Sequence, residues 1–232
     1  MTASLEWILL GVGLSALLTN LAGVASSIVG WTSYYPLGKK DWRFQIFWGL
    51  THVMNGSLLG LGYLQFGGVG FPDWALPAGI VLFVGGSVIA IVATFDLGVS
   101  QTQGIDTGGY TFVEIFATPG VAKFSVSYSH QYEEGLRTDG LYHYTRNPQY
   151  VGYIPATIGY LLTVGAPFVA PICTLLLLWW LVLPFAEEPW LCDRFGDEYQ
   201  QYAEQVPRFV GWTTVRRLLK NTTRKSENRP EL

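Results

Sequence analysis

The chain has 232 residues, half of them hydrophobic, and only 13% are Asp, Glu, Lys or Arg, against about 25% for an average soluble domain. With 27 glycines, 9 tryptophans and a mean hydropathy of +0.28, this composition argues against a soluble enzyme or a disordered chain and suits membrane helices and their interfaces. A net charge of −3 supplies no field to steer nucleic acid, and the 2 cysteines, Cys173 and Cys192, are too few and too far apart for a zinc site or a disulfide scaffold, so neither a nucleic-acid partner nor a metal is expected.

The first apolar run, Leu5 to Val29, lacks a basic start and is too long for the core of a cleavable signal, so it predicts a spanning helix. Its single charge, Glu6, sits at the edge. A second run covers Phe44 to Phe66 with His52 and Asn55 inside it, and a third covers Leu76 to Leu97 with Asp96 near its end. A polar stretch follows from Gly98 to Gln149, with turn formers at Gly108-Gly109 and Thr118-Pro119-Gly120. The last apolar block, Tyr150 to Ala186, is too long for one helix. Gly165, Ala166 and Pro167 divide it, because proline disfavours helix at the residue before it. The first arm, Val151 to Val164, would be about 21 Å long, short for a hydrocarbon core of about 30 Å. The pair therefore predicts a tight hairpin at the end of the membrane region. Cys173 lies inside it and reads as a small hydrophobe.

Every Lys and Arg falls in one of three stretches: Lys39 to Arg43, Lys123 to Arg146, and Arg194 to Arg229. The connections Gly67 to Ala75 and Gly165 to Pro167 carry none. If the helices alternate, the basic stretches share one side. The positive-inside rule makes that side cytoplasmic, with the N-terminus outside and five crossings. The basic tail Arg216 to Arg229 reads as a solvated end or as a contact for anionic head groups.

Polar residues inside an apolar chain mark where chemistry can sit. His52 and Asn55 are three apart and share a helix face, either bonded to neighbouring helices or bordering a cavity. The densest polar and aromatic stretch is Thr138 to Gly152, TDGLYHYTRNPQYVG. Pro148 suits the first turn of the following helix, whose free N–H groups favour a carboxylate. Tyr142, Tyr144 and Tyr150 offer rings to a flat base or a cation, or form an interfacial aromatic belt with a snorkelling Arg146. Glu187 and Glu188 are adjacent acids at a helix C-terminus, opposed by the helix dipole and by each other, and would gain from a nearby cation such as Arg146, Arg194 or a positive ligand. Beyond Pro189, the residues Leu191, Phe195, Tyr199 and Tyr202 recur with helical spacing and predict an amphipathic helix interrupted at Gly196.

Together these residues resemble a known family. The ordered motifs are Tyr142-x-x-x-Arg146-Asn147-Pro148-x-Tyr150-x-Gly152, then Glu187-Glu188-x-x-Leu191, then Phe195-Gly196-x-Glu198-Tyr199-x-x-Tyr202 and Val206-Pro207-Arg208. They are similar to those of the isoprenylcysteine carboxyl methyltransferases and their relatives, the phospholipid methyltransferases and other small membrane methyltransferases, over roughly residues 137–210. The resemblance implies S-adenosylmethionine as cofactor, bound at the mouth of the last hairpin, with a lipophilic acceptor reaching it from the bilayer. It places Tyr142, Arg146, Asn147, Pro148, Tyr150, Gly152, Glu187, Glu188, Tyr199 and Arg208 on the cofactor side, with Arg146 and Glu188 nearest the chemistry. Many prenylcysteine methyltransferases have His where this chain has Asn147, and Asn cannot titrate. Pro189 directly after the acids is also unusual and implies a kink there.

The expected architecture is an all-α polytopic membrane protein of about five transmembrane helices. Its regions are 1–100 (three helices), 101–136 (polar insert), 137–210 (cofactor region) and 211–232 (basic tail). The expected function is an S-adenosylmethionine-dependent methyltransferase acting on a lipophilic or lipidated acceptor, an isoprenylcysteine-like carboxylate in the first instance. A phospholipid amine and a small thiol are alternative acceptors. An NADPH-dependent reductase of the sterol type and a non-catalytic membrane protein are the competing classes; a 2′-phosphate pocket should show clustered basic residues, and only Arg146 lies in the central motif.

Overall fold

The computed structural model describes residues 2–32, 34, 42–66, 72–97 and 136–227. The polar insert with its turns, and the basic residues Lys39, Lys40, Lys123 and Arg229, lie outside the described residues. Those described residues form helices and no strand, as the apolar runs predict. In order they are α1 (Thr2–Ile28), α2 (Trp42–Gln65), α3 (Ala75–Leu97), a 3-10 turn (Gly140–His143), α4 (Pro148–Val164), a 3-10 turn (Pro167–Val169), α5 (Ala170–Gln205) and α6 (Trp212–Glu227). Among the described residues, three segments are long and apolar enough to cross a membrane: Ser4–Ile28, Ala75–Asp96 and Pro167–Phe195. In hydrocarbon every backbone polar group must be satisfied within its own segment, which is why such runs become helices.

Polar side chains set the pairing of the N-terminal helices. Glu6 Oε1 accepts the Gln65 amide at 2.5 Å, tying the start of α1 to the end of α2. Asn20 is buried in α1; its amide donates to the Phe47 carbonyl at 3.0 Å and its oxygen accepts the Tyr34 hydroxyl at 2.6 Å. The core between α1, α2 and α5 is built on Leu17, Leu61, Ile172, Cys173 and Trp179. Cys173 is fully buried there, as a small hydrophobe should be.

Helix α4 leans on α3 along a seam of glycines, and the Tyr160 hydroxyl donates to the Leu58 carbonyl at 2.8 Å, tying α4 to α2 as well. The chain turns where the sequence places the break: Gly165 closes α4 in the left-handed conformation, φ 66°, and its N–H donates to the Leu161 carbonyl. That conformation is open to glycine at little cost.

One boundary differs from expectation. Glu187 and Glu188 do not stand at a helix C-terminus, because α5 runs on through both Pro184 and Pro189; the interruption falls at Gly196, φ 52° and ψ −129°, where the sequence places it. Each proline removes only one ladder donor. The Gly196 backbone lies in a region that residues with a Cβ avoid. Beyond it, Tyr199, Tyr202 and Val206 bury themselves against Leu136, Leu191 and Phe195, so the aromatic stripe packs inward.

Candidate active site

The chain returns on itself at the start of α4. The Arg146 N–H donates to the Pro207 carbonyl at 2.9 Å. Thr145 Oγ1 and the Asn147 amide both donate to the Arg208 carbonyl, at 3.0 and 2.9 Å. Residues 145–147 are thus laced to 207–208 by one backbone pair and two side chains on the Arg208 carbonyl, and Pro148, fully buried, opens α4 at its first turn as proline should. Asn147 spends its amide on this tether and caps nothing with its side chain.

The lacing brings the predicted charges into contact. Arg208 forks onto Glu188, Nε to Oε1 at 2.7 Å and Nη2 to Oε2 at 2.6 Å, while Arg146 Nη1 lies 3.0 Å from Glu188 Oε1. The other side of the Arg208 guanidinium rests over the Phe185 ring, 4.0 Å from its centre. Bidentate charge-assisted pairs of this kind are among the stronger polar contacts. The Glu188 carboxylate holds the Arg208 guanidinium above its ordinary pKa, chiefly through these hydrogen bonds. Arg146 Nη1 also donates to the Tyr199 hydroxyl at 3.3 Å. Burial first, and Glu188 second, push the Tyr199 phenol up to about 12, so it works as a neutral hydrogen-bonding group. Glu187 points elsewhere and accepts the Tyr150 hydroxyl at 2.6 Å. Tyr150 in turn stacks on Trp180, ring centres 6.0 Å apart.

Tyr142 is held through its carbonyl, which accepts the Tyr202 hydroxyl at 2.7 Å. Burial, reinforced by the nearby Glu187, raises its own phenol pKa well above the usual value. The Tyr142 hydroxyl and the Gln149 side chain are buried against each other and interact, while Arg146 Nε is buried without a hydrogen-bond partner among the described residues. Native interiors rarely leave such a guanidinium nitrogen unmet. Gln149 was not singled out from sequence; a polar side chain in the first turn of an apolar helix was the available signal.

Not every predicted residue joins this network. Gly152 faces α3, where a Cβ would stand 2.5 Å from the Ala90 nitrogen, so it serves helix packing. His52 and Asn55 are on the exposed side of α2; His52 Nδ1 contacts the Trp48 carbonyl of its own helix at 2.6 Å, and neither residue borders this site. A separate open cavity of about 690 Å³ is lined by Val92, Asp96, Asp139, Leu141, His143 and Tyr144, among others, and by none of the Arg146–Glu188–Arg208 group.

A fold of apolar helices with a charged, partly unsatisfied mouth is the plan of an integral-membrane enzyme, and the comparisons say of which kind. The sequence profile of the phospholipid methyltransferase family matches residues 74–198, more than half of the chain, and the protein belongs to that family. The match begins at α3, well upstream of the motifs that carry the resemblance, and stops before Arg208. A segment of 74 residues is 39% identical to protein-S-isoprenylcysteine O-methyltransferase of Schizosaccharomyces pombe, covering 31% of this chain and 31% of that relative. The matched part is therefore under a third of the relative's length. No solved structure matches.

Proposed function

We propose that this membrane protein is an S-adenosylmethionine-dependent methyltransferase for a lipophilic acceptor. The reading rests on the Arg146–Glu188–Arg208 group with the buried Tyr142, Gln149 and Arg146 Nε donors beside it. Two guanidiniums around one carboxylate leave one positive charge in excess, matched to the cofactor's carboxylate, with the first turn of α4 at Pro148 adding N–H donors. Because Glu188 is engaged by both arginines, its part is to hold them in place. Glu187 is then the acid for the cofactor's amino group or ribose hydroxyls, and the Tyr142 and Tyr150 rings flank its base or sulfonium. When bound, the cofactor supplies a methyl group activated by a sulfonium. The protein has mainly to position the acceptor in line, which can supply several kcal/mol of the barrier.

The acceptor favoured first is an isoprenylcysteine-like carboxylate, which has no proton to lose. A phospholipid amine is a second reading, supported by Asp96, Asp139 and His143 around the neighbouring cavity. An amine must give up a proton, and His143 is a base near enough in sequence to Arg146 to be considered. A small thiol stands as a third acceptor class.

Calorimetry on the detergent-purified protein tests the cofactor. S-adenosylmethionine should bind, and Arg146→Ala should weaken it by about 1.5–3 kcal/mol, the scale of charge-assisted hydrogen bonds. Binding of NADPH in its place would overturn the reading, and the Arg146–Arg208 pairing makes that control necessary. Incubation with methyl-labelled cofactor and native lipid extract then identifies the product: a base-labile ester supports the carboxylate, and a methylated amine head group supports the second reading.

A further inference from the structure

Helix α6 is attached by the wrong side for a helix in water. Its contacts with the body are polar: buried Thr214 donates to the Tyr144 carbonyl at 2.7 Å, and Arg217, three residues on, donates to the carbonyls of His143 and Gln205. Residues three apart share a helix face, so this face is the docked one. The apolar residues follow a different stripe. Trp212 is 79% exposed, Val215 38%, Leu218 49% and Leu219 63%. A surface helix of a soluble protein does the reverse, burying its apolar stripe and wetting its polar one.

The sequence of the helix says what lies against that outward stripe. Trp212–Glu227 carries Arg216, Arg217, Lys220, Arg224 and Lys225 against the single acid Glu227. An apolar stripe containing Trp, flanked by basic residues, is the composition of a helix lying in the plane of an anionic membrane surface. Its mooring fits that depth. His143 and Tyr144 come directly before α4, whose apolar body starts at Pro148. We propose that α6 lies on the bilayer that holds the rest of the chain, with Trp212, Val215 and Leu219 among the acyl boundary and Arg216 on anionic lipid head groups. Held this way, the helix fixes the 143–145 segment, and with it Arg146, at a set height above the bilayer. The inference stands on membrane embedding and does not require the methyltransferase reading.

The test uses the full chain in lipid nanodiscs, of phosphatidylcholine alone or with added phosphatidylglycerol, in a Cys192→Ala background. An environment-sensitive dye is placed at Leu219→Cys, with Glu204→Cys as the water-exposed reference. In the anionic discs, the dye at 219 should be quenched by spin-labelled lipid and shielded from iodide, and the dye at 204 should not. Arg216→Glu with Lys220→Glu should reduce the anionic preference by roughly tenfold or more, since each basic residue near such a surface contributes on the order of 1 kcal/mol. Iodide access at 219 in both lipids would overturn the proposal, as would shielding without lipid quenching, the sign of a protein partner or second copy. Equal quenching in neutral and anionic discs would overturn the head-group part.

Discussion

Glu188 is the residue on which the site turns. It faces Arg146 and Arg208 at 3.0 and 2.6 Å in a half-buried setting, side chains 13–30% exposed. Removing the acid leaves two guanidiniums facing each other, partly desolvated, with no counter-charge. Breaking a fully buried pair costs about 3–5 kcal/mol, and partial exposure lowers the figure here, so Glu188→Gln should lose roughly 1–3 kcal/mol of stability. Arg208→Met should cost less, because Arg146 still satisfies the acid. The double variant should be milder than the sum, with a coupling of about 1 kcal/mol or more read from denaturation in detergent. Additive losses would mean that the fork contributes nothing to the fold. The sequence made the meeting of Arg146 with the paired acids legible, because Arg146 precedes one arm of the hairpin and the acids follow the apolar run of the other, which puts both at its mouth. It did not show that Glu188 is already claimed twice. That depends on Thr145 and Asn147 drawing in the Arg208 carbonyl, a contact across the fold that no local spacing encodes.

At the scale of elements, the α3–α4 seam positions everything above it. Gly79 and Gly86 on α3 meet Gly152 and Gly159 on α4, each pair seven residues apart. A Cβ at Gly86 would stand 2.5 Å from the Gly152 carbonyl oxygen, and one at Gly159 would strike the Phe83 backbone. Helices in lipid gain little from burying apolar surface against each other, so close backbone approach supplies the packing. Gly159→Val should therefore force the helices apart at a cost of about 1–3 kcal/mol, and should weaken cofactor binding because the start of α4 moves with its body. Gly49→Val, where nothing lies within 4 Å of the added carbon, is the control. Thermal unfolding in detergent that does not separate the two variants would dismiss the seam. From sequence these glycines read as membrane composition; their partnership needs the register of two helices at once. The interruption at Gly196 was legible, and its positive φ redirects the chain there. The helix end expected at Glu187 and Glu188 was not found, because proline at 189 removes a single donor in a helix already held on both sides.

For the whole molecule, the scarcity of charge was the most informative feature. It made the membrane class and the apolar runs readable, and α1, α2 and α3 begin and end within a few residues of them, because lipid leaves the backbone no alternative to helix. The number of crossings is set by different physics. Among the described residues three segments meet the length and apolarity of a span; α2, expected to cross, is long enough at 24 residues but not apolar enough to be one of them, and α4, with 17 residues, reaches only about 26 Å against a core of about 30 Å. In the proposed five-crossing topology, Gly165 to Pro167 is on the outer face and the shortfall is met by local thinning, at fractions of a kcal/mol per Å. A re-entrant hairpin would instead keep that turn inside the bilayer and leave the same charge pattern. Single cysteines in a Cys192→Ala background separate the two in intact cells, since Cys173 is buried. Asp73→Cys should react with an impermeant thiol reagent from outside, and Glu204→Cys should react only after permeabilisation; the opposite pair of results would invert the orientation. Pro167→Cys, at an exposed turn position, decides the hairpin. Reaction from outside establishes the fifth crossing. Protection on both sides makes the hairpin re-entrant, with the cofactor mouth still on the basic face.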